Sequence, residues 1–487
     1  MDTFSHIKHG YIKDRTAHTS PGFFFFLTGA FFFSYFVVVY FKLNTQALAE
    51  MTWSVFLVAG FIVLLFSFLN LEMAVLSMVF LVPITSYELP GLPVHITIGD
   101  AYLLVVTTAW GMRLMVKSGE RILKAPWGRP IALFLFLSCV SLINSTDLAT
   151  GITEILQTIE YFVAAMYLFY AVIRSPEDMG NALIALSLSS SLFSLLGIRE
   201  YFLMGMGDTR IQSTFGHFNA FGVYLAMMIP LFFTLMLSEK ERWRRTLFTT
   251  ALVLCCFAIL LTFSRGAWIG VLLALLLSGW LRGMKQFIKF FSVVVLALIV
   301  STVLLPERFI GRAASATEIQ DDSTQSRIKQ YEMAMEIMAK YPLFGTGVGQ
   351  VPLYASRRGT PGLTEIHNVF LHIGADRGIP AMLALLLIFF VHYRVISRRI
   401  FLSRSTYFRN MYITNISSMA AFLMVNMTAY QLVRGVGIFV GLFLGMAAAL
   451  ILMEDRLAES GELDEDLDEP DLLSRSPSLL QGLGETI

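Results

Sequence analysis

"TLFTTALVLCCFAILLTFSRGAWIGVLLALLLSGW", residues 246–280, carries one charged side chain, Arg265, between two apolar runs. Each run is close to the ~20 residues that cross a bilayer as a helix. In lipid such a run must satisfy its backbone internally, so it forms a helix, and the "SRG" between the runs is a turn too short to be a domain. The same pattern recurs outward along the chain. Apolar runs fall near 23–41, 53–69, 71–85, 97–116, 130–145, 152–173, 180–203, 218–237, 246–263, 266–281, 286–305, 369–391, 411–430 and 434–453. That makes about fourteen spans. The third contains Glu72 and Pro83, and the twelfth begins with polar residues and contains Pro380.

Composition agrees. With 56% hydrophobic and 15% charged residues over 487, and a mean hydropathy of +0.67, the chain is too apolar for one aqueous core. The expected fold class is all-α: a polytopic membrane protein of about 12–14 transmembrane helices with one large extracytoplasmic helical loop. Membrane lipids are the expected surroundings, and no nucleic-acid partner is expected. Cys139, Cys255 and Cys256 lie in apolar runs without the spacing of a metal site or a disulfide framework. The run at 23–41 lacks a small-residue cleavage site, so it is expected to stay as the first span.

Basic residues set the orientation. With residues 1–22 in the cytoplasm, one side collects Lys8, Lys13, Arg15, the 113–129 group, Arg174, Lys240, Arg242, Arg244, Arg245, the 282–289 group and Arg394 to Arg409. The short loops opposite hold Lys42, Arg199, Arg210, Arg265 and Arg434. Roughly twenty-one against five fits the positive-inside rule and an even span count, with both termini cytoplasmic. Residues 23–305 are then membrane helices with short loops, 306–368 the large extracytoplasmic loop and 369–453 the C-terminal membrane helices. The acidic stretch 454–487 reads as a disordered cytoplasmic tail.

The polar residues on the basic-poor side stand out. Arg210 lies in "GDTRIQSTFGHFNAFG" near His217 and Asn219, and Arg265 lies beside Ser264 and Gly266. A lone arginine there snorkels to lipid phosphate, whereas two beside small and hydroxyl residues suit an anion site, because a guanidinium grips phosphate oxygens as a fork. Within the outer loop, Ile328, Tyr331, Met335 and Met338 recur at helical spacing, as in an amphipathic helix along the membrane surface. "LFGTGVGQ" reads as a tight turn rather than a nucleotide loop, and Arg357 and Arg358 as a solvated basic loop. In "TEIHNVFLHIGADRG", His367 can accept or orient a hydroxyl proton, with Glu365 to fix its tautomer or act as base and Asn368 beside it. Asp376 and Arg377 are expected to pair with each other, and Glu154, Gln157 and Glu160 share one helical face, as polar packing or a cavity wall.

Arg210 with "FGHFNAFG", the "SRG" turn, "SRIKQYEMAMEIMAKYPLFGTGVG" and "HNVFLHIGADRGIPA" stand in an order that resembles the integral-membrane O-antigen ligase and polymerase family of bacterial surface-polysaccharide assembly. The likeness covers roughly residues 200–390. It implies a GT-C glycosyltransferase of the bacterial inner membrane. Such an enzyme moves a glycan from undecaprenyl diphosphate to an acceptor sugar, on lipid A core or another lipid-linked glycan, outside the membrane and without a nucleotide sugar, a metal or another cofactor. By residue matching, Arg210 and Arg265 would hold the diphosphate and His367 would orient or deprotonate the acceptor hydroxyl. Glu365 joins His367, with Asn368, His217 and Asn219 in support. Ligase and polymerase stay undivided. The rival is a flippase for lipid-linked glycans, which calls for ionisable residues along a path through the membrane; a scaffold would leave the outward arginines unexplained.

Overall fold

The computed structural model describes residues 53–81, 83, 97–116, 124–204, 210–288, 291–292, 322–360, 365–432 and 436–460. The expected first span, most of the eleventh, the start of the outer loop, Arg434 and the tail from residue 461 lie outside the described residues.

Among the described residues the chain forms helices and no β-strand. α1 (Trp53–Leu69), α2 (Leu71–Leu81), α3 (Ile98–Val116) and α4 (Gly128–Ser141) lead to α5 (Leu148–Ile159). α5 passes through a π-helical turn, Glu160–Ala164, into α6 (Ala165–Val172). α7 (Pro176–Leu203), α8 (Phe218–Ser238), α9 (Arg242–Leu261) and α10 (Arg265–Leu281) follow, so the stretch 246–280 lies in the α9–α10 hairpin. α11 (Asp322–Lys340), α12 (Val351–Arg357) and α13 (Val369–Arg377) precede α14 (Ile379–Leu402), α15 (Thr406–Asn426) and α16 (Gly437–Ser460). Among the described residues six helices are long and apolar enough to cross a membrane: the continuous Leu148–Val172, then α7, α8, α9, α14 and α16.

Local chemistry explains the boundaries. α7 opens on a capping box: Ser175 Oγ accepts from the Asp178 N–H at 3.1 Å, and the Asp178 carboxylate accepts from the Ser175 N–H at 2.9 Å. On α16, Gly441 and Gly445 leave room for a neighbour: a Cβ at Gly441 would run into the Tyr161 carbonyl, and one at Gly445 would sit 2.5 Å from the Met166 carbonyl. Small residues at this spacing let α16 lie directly against the π-turn and α6.

Three expectations change in detail. The run 369–391 is two helices, broken at Gly378, whose φ of 92° suits glycine and whose absent Cβ would overlap the Leu343 carbonyl. One face of α13 packs with α11 and α12 around Met333, Ile337, Val351, Ile366 and Ala375, while its Val369 and Ile373 join the main core of the bundle. On α11 the buried face is Gln330, Met333, Ala334, Ile337 and Met338, while Ile328 and Met335 are exposed. The tail begins later than Glu454, because α16 continues to Ser460. Arg399 grips Asp455 through two bonds of 2.5 and 2.9 Å, and the Tyr412 hydroxyl donates to Glu454 at 2.8 Å.

Other expectations stand. In "LFGTGVGQ", Gly347 has a φ of 97° and a Cβ there would lie 2.5 Å from the Ser145 N, which is a close backbone approach. Asp376 and Arg377 do pair, 3.5 Å apart, and Glu154 joins them at 3.4 Å from Arg377. Ser138 and Thr158 accept from Arg377 Nη1 at 3.2 and 3.3 Å. Asp376 precedes the span that begins at Ile379, and burial together with the Glu154 carboxylate pushes its carboxyl up against the pull of Arg377.

Gly378→Ala therefore strains both φ and packing. We expect a loss of about 1–3 kcal/mol in stability, read by thermal unfolding in detergent, with α14 still helical by circular dichroism. An unchanged unfolding midpoint would contradict this account of the break.

Candidate functional site

α7 and α9 end, and α8 and α10 begin, at the same end of the bundle, away from Arg242, Arg282 and Arg399. The segment entering α8 is anchored there. The Ser213 N–H donates to Glu200 at 2.8 Å, Ser213 Oγ donates to the Phe193 carbonyl at 2.8 Å, and the Ile211 N–H donates to the Leu261 carbonyl at 3.3 Å. This holds Arg210 with its guanidinium 4.5 Å from the centre of the Phe218 ring.

His217 is the residue that caps α8. Its Nδ1 accepts from the Asn219 N–H at 3.0 Å, which leaves Nε2 to carry the proton of the neutral ring. Asn219 Oδ1 in turn accepts from Ser264 Oγ at 3.0 Å and so ties α8 to the turn before α10. Arg265 is the first residue of α10. The next residue, Gly266, lies so close to Thr428 that a Cβ would come within 2.6 Å of its Oγ1. That contact draws the end of α15 against the turn.

These parts enclose a cavity of about 160 Å³. Its walls include Arg210, His217, Asn219, Arg265 and His367, all picked out in the sequence, together with Ser326, Arg327 and Thr428, which are not. Arg327 stands in the "SRIKQ" opening of a segment that carries the resemblance, but charge does not single it out, since a long outer loop tolerates basic residues and the spacing of α11 draws attention to its apolar positions. Three guanidinium groups and the N-termini of α8 and α10 at one cavity favour an anion with several oxygens.

Glu365 and Asn368 do not line the cavity; they stand behind His367. Glu365 is buried with Oε1 3.4 Å from His367 Nδ1, so it faces the ring nitrogen turned away from its partner Nε2. Asn368 caps α13, accepting from the Phe370 and Leu371 N–H groups at 3.0 and 3.1 Å, and donates to the Met427 carbonyl at 3.1 Å. The Tyr331 hydroxyl lies 2.9 Å from the His367 carbonyl and 3.1 Å from that of Met427, and burial pushes its phenol up from the ordinary value. Arg358 pairs with Glu336 on the exposed surface, well apart from this set.

No curated protein matches the chain. Residues 250–386 match the family model described as O-antigen ligase, a stretch that contains Arg265, Arg327, Glu365 and His367, with Arg210, His217 and Asn219 preceding it. That stretch, a little over a quarter of the chain, is where its similarity to the O-antigen ligase family lies.

Proposed function

We propose that the protein transfers a glycan from undecaprenyl diphosphate to a sugar hydroxyl, on lipid A core or on another lipid-linked glycan, at the extracytoplasmic face of a bacterial inner membrane and without a metal. The observation that carries this reading is the meeting of Arg210, Arg265, Arg327 and His367 in one cavity, from four separate segments of the chain. The cavity lies at the bundle end opposite the cytoplasmic basic cluster assigned by the positive-inside rule. A transporter would need such groups at both ends of a path, so the one-sided set favours the enzyme.

The chemistry follows from these groups. The arginines and helix N-termini hold the diphosphate and take up negative charge as it leaves. His367 removes the acceptor hydroxyl proton while the acceptor oxygen attacks the anomeric carbon. The bond from that carbon to the diphosphate oxygen breaks, and undecaprenyl diphosphate departs with the electron pair.

Purified protein incubated with an undecaprenyl-diphosphate oligosaccharide, with or without lipid A core and with a chelator present, tests this by product mass. Glycosylated lipid A core identifies a ligase, and longer lipid-linked chains a polymerase. Arg265→Ala is expected to reduce transfer by about 10²- to 10³-fold, as for loss of one group stabilising a departing charge. Absence of transfer with every acceptor would reject the enzyme reading.

A further inference from the structure

We infer that α11 couples the anion site to the base, so that occupation of the cavity by a diphosphate sets the position of His367. This rests on the glycan-transfer reading and adds a control step to it. Helix α11 supplies Ser326 and Arg327 to the cavity wall. Its next turn holds the backbone of His367 on both sides. The His367 N–H donates to Gln330 Oε1 at 2.9 Å, and the His367 carbonyl accepts from the Tyr331 hydroxyl at 2.9 Å.

Gln330 is the link between the two ends. It is buried, and its amide Nε2 points back to Ser326 Oγ at 3.5 Å, while its carbonyl oxygen holds His367. A helix is stiff over one turn, so a displacement of Arg327 towards an anion carries Gln330 and Tyr331 with it. The imidazole then moves with the diphosphate. The small core under α11, with Met333, Ala334 and Ile337 against Val351, Ala355 and Ile366, makes α11 and the segment before α13 a single packed unit. A group that touches neither donor nor acceptor thereby sets the rate. Gln330 and Tyr331 are positioning residues.

The test separates turnover from binding. Gln330→Leu keeps the volume and removes the acceptor for the His367 N–H, and kcat should fall on the order of 100-fold, the scale of a 1 Å misplacement, while undecaprenyl diphosphate still binds within about twofold of native. Gln330→Glu retains an accepting oxygen and should recover most of the lost turnover. Native kcat in Gln330→Leu, or no recovery in Gln330→Glu, would overturn the coupling.

A second readout does not depend on catalysis. Hydrogen exchange across residues 365–371 should slow when undecaprenyl diphosphate is added to the native protein, and the slowing should be lost in Gln330→Leu. Slowing without glycan transfer by the native protein would reject the transfer reading and keep the coupling. Transfer by the native protein with no slowing would reject the coupling alone.

Discussion

Replacing His367 with alanine is expected to lower the turnover of glycan transfer by about 10²- to 10⁴-fold, the range for loss of a general base, with donor binding within about twofold of native. The cavity explains the split. Arg210, Arg265 and Arg327 line the cavity whether or not the imidazole is present, so on this reading the ground-state complex should survive. What disappears is the acceptor for the hydroxyl proton, needed only as the acceptor oxygen attacks. Single-turnover transfer, measured beside equilibrium binding of undecaprenyl diphosphate, reads the two quantities separately. Equal loss of binding and turnover would instead make His367 part of the anion site, and native turnover would remove it from the chemistry.

Much of this site is legible in the sequence for an electrostatic reason. Arg210 and Arg265 fall on the side that the positive-inside rule expects to be poor in basic residues, so hydropathy and charge alone single them out. His217 and Asn219 draw notice because they follow Arg210, and their work is local: one caps α8 and the other ties it to Ser264. Arg327 escapes because the same argument is silent inside a long outer loop. Gln330 escapes because hydropathy assigns a glutamine to the wet side of a helix, whereas here a polar amide sits in a small core and answers the His367 N–H.

Two boundaries are missed for similar reasons. Hydropathy joins α13 to α14, since Val369 to Arg377 is apolar enough to extend a span, and only the φ of 92° at Gly378 divides them. The acidic composition from Glu454 onward hides the fact that its first turn has a partner in Arg399, in the last turn of α14. Hydropathy registers a residue's preference for water but not the identity of the group it meets, and both errors arise where a specific contact overrides that preference.

The largest stability effect is expected away from the cavity, in Arg377→Met. Arg377 is fully enclosed, its guanidinium shared among Asp376, Glu154, Ser138 and Thr158, with the Phe134 ring centre 5.6 Å away. Methionine fills similar space but leaves Asp376 and Glu154 without their cation. Removing one member of a buried charged set costs about 3–5 kcal/mol, because the remaining charge stays desolvated. Equilibrium unfolding in mixed micelles should show this loss, and Arg399→Met is the comparison: Arg399 also binds a carboxylate through two bonds but reaches solvent, so the loss there should be smaller. The pH dependence has a definite sign. Asp376 already holds its proton more tightly in the fold than in the unfolded chain, so the fold binds the extra proton and gains stability as pH falls through that raised value. Losing Arg377 strengthens the same preference, so the deficit should shrink on acidification. A deficit that is constant with pH would point to lost packing against Phe134 in place of stranded charge. Because Arg377 does not line the cavity, the molecules that remain folded should transfer glycan at the native rate, which separates this effect from that of His367.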